Sequence, residues 1–276
     1  MTKLRNLSLR HTIIFCIVFM VACELLYYGF GSLTSLMPQS PLFTLIKEII
    51  HISWPVLLAF VLGYGFCAKT EGFVRTLKAG WAYLVLYAFS ALFKWLQLSF
   101  TPDIQWQSFA VIMLGILKML GIGIREEFLY RGVLVNVLTL KYEKNSKGIW
   151  LTVITSSLLF SFSHMTNAFY GLPVFDAFIQ SLGAIGVSLV FAAIYLRGGN
   201  IWFLVVLHGI IDLATLMSSG FTVTNESDIQ VISKLNVLGP IALISVGIAV
   251  SLFLLRKSKH QEMLDRFSAL RSELGC

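Results

Sequence analysis

Charge is what this sequence has least of. Only 13% of its 276 residues are Asp, Glu, Lys or Arg, about half the share in an ordinary soluble domain, which excludes a water-soluble globule. Alternating ten-residue segments are missing, which excludes a transmembrane β-barrel. The four cysteines include no CxxC pair, so neither a disulfide framework nor a cysteine zinc site is indicated. Cys276 is the last residue rather than the fourth from the end, so it does not form a prenylation box. Internal repeats, low-complexity tracts and a separable polar domain are also missing.

What is present is apolar: 57% of the residues are hydrophobic. Several runs approach or exceed the ~18–20 residues that cross ~30 Å of hydrocarbon as helix. The expected fold is all-α, a single membrane domain over residues 1–276 with about eight transmembrane helices. The expected spans are 12–30, 49–68, 79–100, one within 104–140, 149–168, 174–196, 201–218 and 235–255. The basic start with Lys3, Arg5 and Arg10 resembles a signal peptide, but the following run is long and has no small-residue cleavage site, so an uncleaved anchor is expected.

The net charge of +7 is explained by topology rather than by nucleic acid. Lys69, Arg75 and Lys78, then Lys141, Lys144 and Lys147, then Arg256, Lys257 and Lys259 all fall in turns on the side of both termini. The positive-inside rule makes that side the cytoplasm of a multi-pass protein in the cell membrane, with both termini cytoplasmic. In the tail, 257–276, Met263, Leu264, Phe267 and Leu270 share one helical stripe, suited to lie on the inner membrane surface.

Against this background, Arg125-Glu126-Glu127-Phe128-Leu129-Tyr130-Arg131 carries four ionisable side chains in seven residues. A charge at the bilayer centre costs about 2.5–3.5 kcal/mol on insertion scales. Glu127 and Arg131 are four apart and can neutralise one another on a helix. Glu126 points roughly 100° away and is left over. His164 ends Phe160-Ser-Phe-Ser-His164, and His208 and Asp212 are again four apart. Each has a plain structural account: a histidine packed on a carbonyl, or an aspartate accepting from its neighbour. Together they are also a parts list for activating water, with carboxylates to take a proton, imidazoles to pass it on, and donors on a second helix for an oxyanion. Glu24 and Lys94 are assigned no chemistry; they are candidates to pair with each other.

Glu126-Glu127-x-x-x-Arg131, Phe160-x-x-x-His164 and His208-x-x-x-Asp212, with the turn Arg197-Gly-Gly-Asn-Ile-Trp202, resemble the motifs of the CPBP family over about residues 120–215. These are intramembrane glutamic endopeptidases similar to CAAX prenyl endopeptidases, including bacteriocin-processing and immunity proteins. The resemblance implies a polar cavity facing the cytoplasm and no cofactor. Glu126 would be the general base and His164 its assistant. His208 and Asp212 would stabilise the tetrahedral intermediate, and Glu127 and Arg131 would support the motif helix. The implied partners are a membrane peptide or protein substrate and the lipid bilayer, with no nucleic acid. Asp212 stands where the best-known eukaryotic pattern has Asn, and an ionised Asp cannot donate to an oxyanion. The same substitution keeps a zinc alternative open, with Glu126, His164, His208 and Asp212 as ligands. A non-catalytic immunity or regulatory protein, and a proton-coupled transporter, are the rival functions.

Depth poses a problem. At 1.5 Å per residue, Glu126 and His164 lie about 22–24 Å from the basic turn, and His208 only about 12 Å from its own. A tilt, a recessed turn at Gly198-Gly199, or a helix broken at Gly121 and Gly123 must reconcile them.

Overall fold

The computed structural model describes residues 3–38, 40–222 and 237–275. The loop expected around Lys234 lies outside the described residues. Among those described the chain is helical, with a single β-bridge between Trp106 and Thr222.

A short helix α1 (Lys3–Arg10) leads into α2 (Thr12–Ser35), α3 (Pro41–Val61) and α4 (Phe73–Ser99). Next comes α5 (Phe109–Glu127), which runs through a π-helical stretch, Phe128–Val135, into α6 (Asn136–Tyr142). Then follow α7 (Ser146–His164), α8 (Val174–Gly198), α9 (Ile201–Phe221), α10 (Leu238–Leu254) and the tail helix α11 (His260–Leu274). Among the described residues, five helices, or six if α10 and the tail count as one bent span, are long and apolar enough to cross a membrane. The eight crossings expected are met by this test only in part. The apolar part of α9, Ile201–Thr215, is short, and α5 carries Lys118, Arg125, Glu126 and Glu127. Large apolar side chains on the outer faces stand open, among them Leu25 at 67%, Phe89 at 66% and Phe253 at 65% exposure. A band of that kind needs lipid to cover it, and the protein is a polytopic α-helical membrane protein.

Two differences from expectation bear on the site. α3 begins eight residues before 49, because Ser40 caps it from Phe43 N and Pro41 opens it, a strong start signal. Lys47 and Glu48 therefore lie on a helix rather than in a turn. Gly121 and Gly123 do not break α5, which stays helical through both. They are sites of close approach instead: a Cβ on Gly123 would come within 2.8 Å of the Val205 carbonyl oxygen on α9.

The depth problem is resolved by a recessed turn. Asn200 caps α9 by accepting from Phe203 N and donates to the carbonyls of Lys69, Thr70 and Glu71. Trp202 Nε1 donates to Ala68 O at 2.8 Å. These bonds seat the start of α9 inside the bundle. A Cβ on Gly132 would lie 3.3 Å from Ile201, so α9 starts level with Gly132, well short of the end of α6.

The tail does not lie free on a membrane surface. Met263 and Phe267 are buried in the main core, with Leu264 and Leu270 packed against it. Arg266 donates to the carbonyls of Leu196 and Arg197 at the end of α8, where unpaired helix carbonyls favour a cation. The stripe that suggested a lipid contact is spent on protein.

Candidate active site

The site is built where α5, α7 and α9 meet. The pair predicted from spacing is present: Arg131 Nη1 donates to Glu127 Oε1 at 3.0 Å, with both side chains buried. Arg131 Nη2 also donates to Ser188 Oγ at 3.0 Å, and the guanidinium lies between the rings of Phe160 and Phe191. The π-helical stretch begins directly after Glu127 and carries Arg131. Such widenings are frequent at functional sites.

His208 bridges both glutamates. Its Nδ1 lies 2.7 Å from Glu127 Oε1, and its Nε2 lies 3.5 Å from Glu126 Oε2 and 3.9 Å from Asp212 Oδ2. If Nδ1 carries the hydrogen, Glu127 accepts it and Nε2 faces Glu126 and Asp212, as carboxylates commonly fix the tautomer of a working histidine. His164 reaches the same cavity from the end of α7, with its Nδ1 3.0 Å from Phe160 O. The Phe160 ring lies tilted 4.7 Å from the His164 ring and edge-to-face 6.3 Å from that of His208, centroid to centroid.

Two corrections follow. Glu126 is not an unpaired acid: Arg125 Nη2 donates to its Oε1 at 2.8 Å, and Arg125 in turn lies over the Tyr27 ring at 4.0 Å. Glu127 is not only a strut, since it also orients His208. Asp212 Oδ2 is buried without a hydrogen-bond partner.

Around these groups are two connected spaces. A chamber of about 50 Å³ is lined by Glu24, Arg125, Glu126, Tyr130, His164 and Thr166, among others; its size and polarity suit ordered water. A cavity of about 820 Å³ shares Tyr27, Arg125, Glu126, His164 and Asn167 with it and adds His208 and Asp212. That cavity widens past Lys118 and Glu48 toward Ser40, Thr44, Val111 and Gln180, which lie at the start of α3, α5 and α8. Those ends are opposite the basic turns, where Arg5 bonds Gly63 O and Leu274 O. A cavity on the side of the termini was expected, and it opens the other way. Glu126 is the last but one residue of α5, and the cavity runs from it back along α5 past Lys118 to Val111.

Glu24 was set aside on sequence, and it lines the chamber. Its Oε2 accepts from Thr166 Oγ1 at 2.9 Å, and its partner is thus Thr166, not Lys94. Glu48 was also missed; the Ser40-Pro41 start signal would have placed it on a helix.

Among the described residues, no three His, Cys, Asp or Glu side chains are arranged to hold a metal ion. The alternative ligand set of Glu126, His164, His208 and Asp212 is therefore not gathered around one point.

Residues 106–214 match the family model described as Type II CAAX prenyl endopeptidase, Rce1-like. Over this segment the chain is similar to the CAAX protease-like family. The match starts with the residues leading into α5 and ends just past Asp212, so it contains all six expected site residues. Comparison with curated proteins and with solved structures returned no match. Glu24 and Tyr27 in the chamber, and Tyr27 and Glu48 in the cavity, lie outside the matched residues.

Proposed function

We propose that the protein is an intramembrane endopeptidase that hydrolyses a peptide bond of a membrane-associated polypeptide, with water activated by Glu126 and without metal. The observation that carries this is the 3.5 Å approach of His208 Nε2 to Glu126 Oε2 on the wall of a cavity that His164 and Asp212 share. Arg125 holds one oxygen of Glu126 and leaves the other toward the cavity. That oxygen takes a proton from water, and the hydroxide adds to the scissile carbonyl carbon. His208 and Asp212 line the same cavity, where a protonated nitrogen or carboxyl would donate to the oxyanion. Collapse breaks the C–N bond as the proton passes to the departing amine, directly or through His164, giving a carboxyl and an amine. On this reading the protein sits in the cell membrane with both termini on the cytoplasmic side, which the basic turns favour.

The test is comparative proteomics of membrane peptides from cells with the wild-type protein and with Glu126→Gln. Unprocessed species that accumulate only with the variant, and wild-type processing that survives a zinc chelator, are the expected results. The Arg125–Glu126 pair favours a second reading, a non-catalytic immunity or regulatory protein of the same family, because a neutralised acid needs no turnover. Function retained by Glu126→Ala would select it.

A further inference from the structure

The charge pattern and the direction of the cavity, taken together, bear on which side of the membrane the substrate comes from. Fifteen of the twenty-one Lys and Arg fall at one end of the bundle, in residues 3–10, 69–78, 141–147, 197 and 256–271. The turns at the other end, residues 36–40, 100–108 and 165–173, hold none. The remaining six are Arg125 and Arg131 in the site, Lys118 on the cavity wall, Lys47 and Lys94 within helices, and Lys234 outside the described residues. An asymmetry of this size in short loops sets orientation, because Lys and Arg are retained on the cytoplasmic side.

The cavity of about 820 Å³ has its mouth at the end without basic turns. Ser40 and Thr44 begin α3, Val111 begins α5, and Asn167 and Gln180 flank the turn into α8; all line it. No wall residue comes from the basic end, which is closed by the tail helix through Arg266 and Arg271 and by Arg5. Between the mouth and the site residues Arg125, Glu126 and Asp212, the wall offers neutral hydrogen-bonding groups with Glu48 and Lys118, which suit the backbone of an extended polypeptide rather than a strongly charged ligand.

We propose that the site takes its substrate from the extracytoplasmic side, as an extended segment of a polypeptide that has already crossed or entered the membrane. The reaction that supplies the substrate is then protein export or membrane insertion, and the products leave outward. This rests on the endopeptidase reading for the word substrate, but the orientation of the cavity does not.

The test uses the full chain in cells, with Cys276→Ser as background because Cys16, Cys23 and Cys67 are buried. Gln180→Cys at the mouth and Lys144→Cys at the basic end are each exposed to a membrane-impermeant maleimide. Gln180→Cys should be labelled in intact cells as fully as in lysed cells, and Lys144→Cys only after lysis; the reverse pattern overturns the proposal. A fluorescent protein and an alkaline phosphatase, each fused to the C-terminus, give a second measurement that needs no thiol. Fluorescence supports the proposal, and phosphatase activity overturns it. Any precursor that accumulates with Glu126→Gln should be trimmed by protease added to intact cells, and a protected precursor overturns the proposal. If no precursor accumulates, the endopeptidase reading fails while the labelling and fusions still decide the orientation.

Discussion

Glu127 has two buried partners and Glu126 faces a cavity, so the adjacent acids should respond to mutation in opposite ways. Removing the carboxylate of Glu127 leaves Arg131 as a buried cation held only by Ser188 Oγ and two ring faces. Removing one member of a buried ion pair costs on the order of 3–5 kcal/mol. Glu127→Ala is therefore expected to lower the melting temperature in detergent sharply, and Glu126→Gln to leave it within a few degrees while ending any processing. Equal melting temperatures for the two variants would show that the Arg131 pair does not hold the fold. Local spacing made part of this legible. Four-residue separations on one chain gave Glu127 with Arg131 and His208 with Asp212. The contact between Arg125 and Glu126 was not legible, because consecutive residues diverge on a helix and only the long guanidinium stem reaches back. Glu24 with Thr166 was not legible either, since that bond joins residues 142 positions apart and no local pattern encodes it.

At the scale of helices, the approach of α5 to α9 fixes the distance between Glu126 and His208. Gly121 and Gly123 both sit on the packed side of α5, but a methyl group would meet different things. At Gly121 it would meet the Ile52 side-chain end at 2.9 Å, which can turn away. At Gly123 it would meet the backbone oxygen of Val205 at 2.8 Å and His208 Cβ at 3.3 Å, neither of which can yield without moving α9. Overpacking of this kind costs about 1–3 kcal/mol. Gly123→Ala should thus reduce processing and thermal stability together, and Gly121→Ala should leave both close to wild type; a measured order reversed from this would mean that α9 is free to shift. Composition gave the helical class and most spans, because long apolar runs leave few alternatives. It gave the wrong use for these two glycines, since a small residue that breaks a helix and one that admits a neighbour look alike until the neighbour is known. The same holds for the cavity: a helix carries its acid at a known height, but which end the side chain faces depends on the helices around it.

For the molecule as a whole, the basic end is closed by contacts among distant parts of the chain, and this closure carries a buried acid. Glu143 caps the end of α6 with its side chain fully buried. One oxygen accepts from Thr139 Oγ1 at 3.3 Å. Arg271 of the tail donates to the Glu143 backbone carbonyl at 3.1 Å rather than to the carboxylate. Burial pushes the carboxyl up to about 8, against the pull of Arg266, of the Thr139 and Thr152 hydroxyls and of Arg271. The folded protein therefore keeps this proton between the usual carboxylate range and about pH 8, and the unfolded chain releases it. Because the folded state binds more protons in that window, stability falls as pH rises through it and levels off above about 8. Glu143→Gln keeps the shape and removes the titration. The expected result is a melting-temperature difference, variant minus wild type, that grows in favour of the variant from pH 5.5 to pH 8.5. Parallel curves across that range would mean that the carboxylate is already ionised and paired with the tail arginines. The tail would then be held by a salt bridge rather than by helix-end carbonyls and a neutral acid.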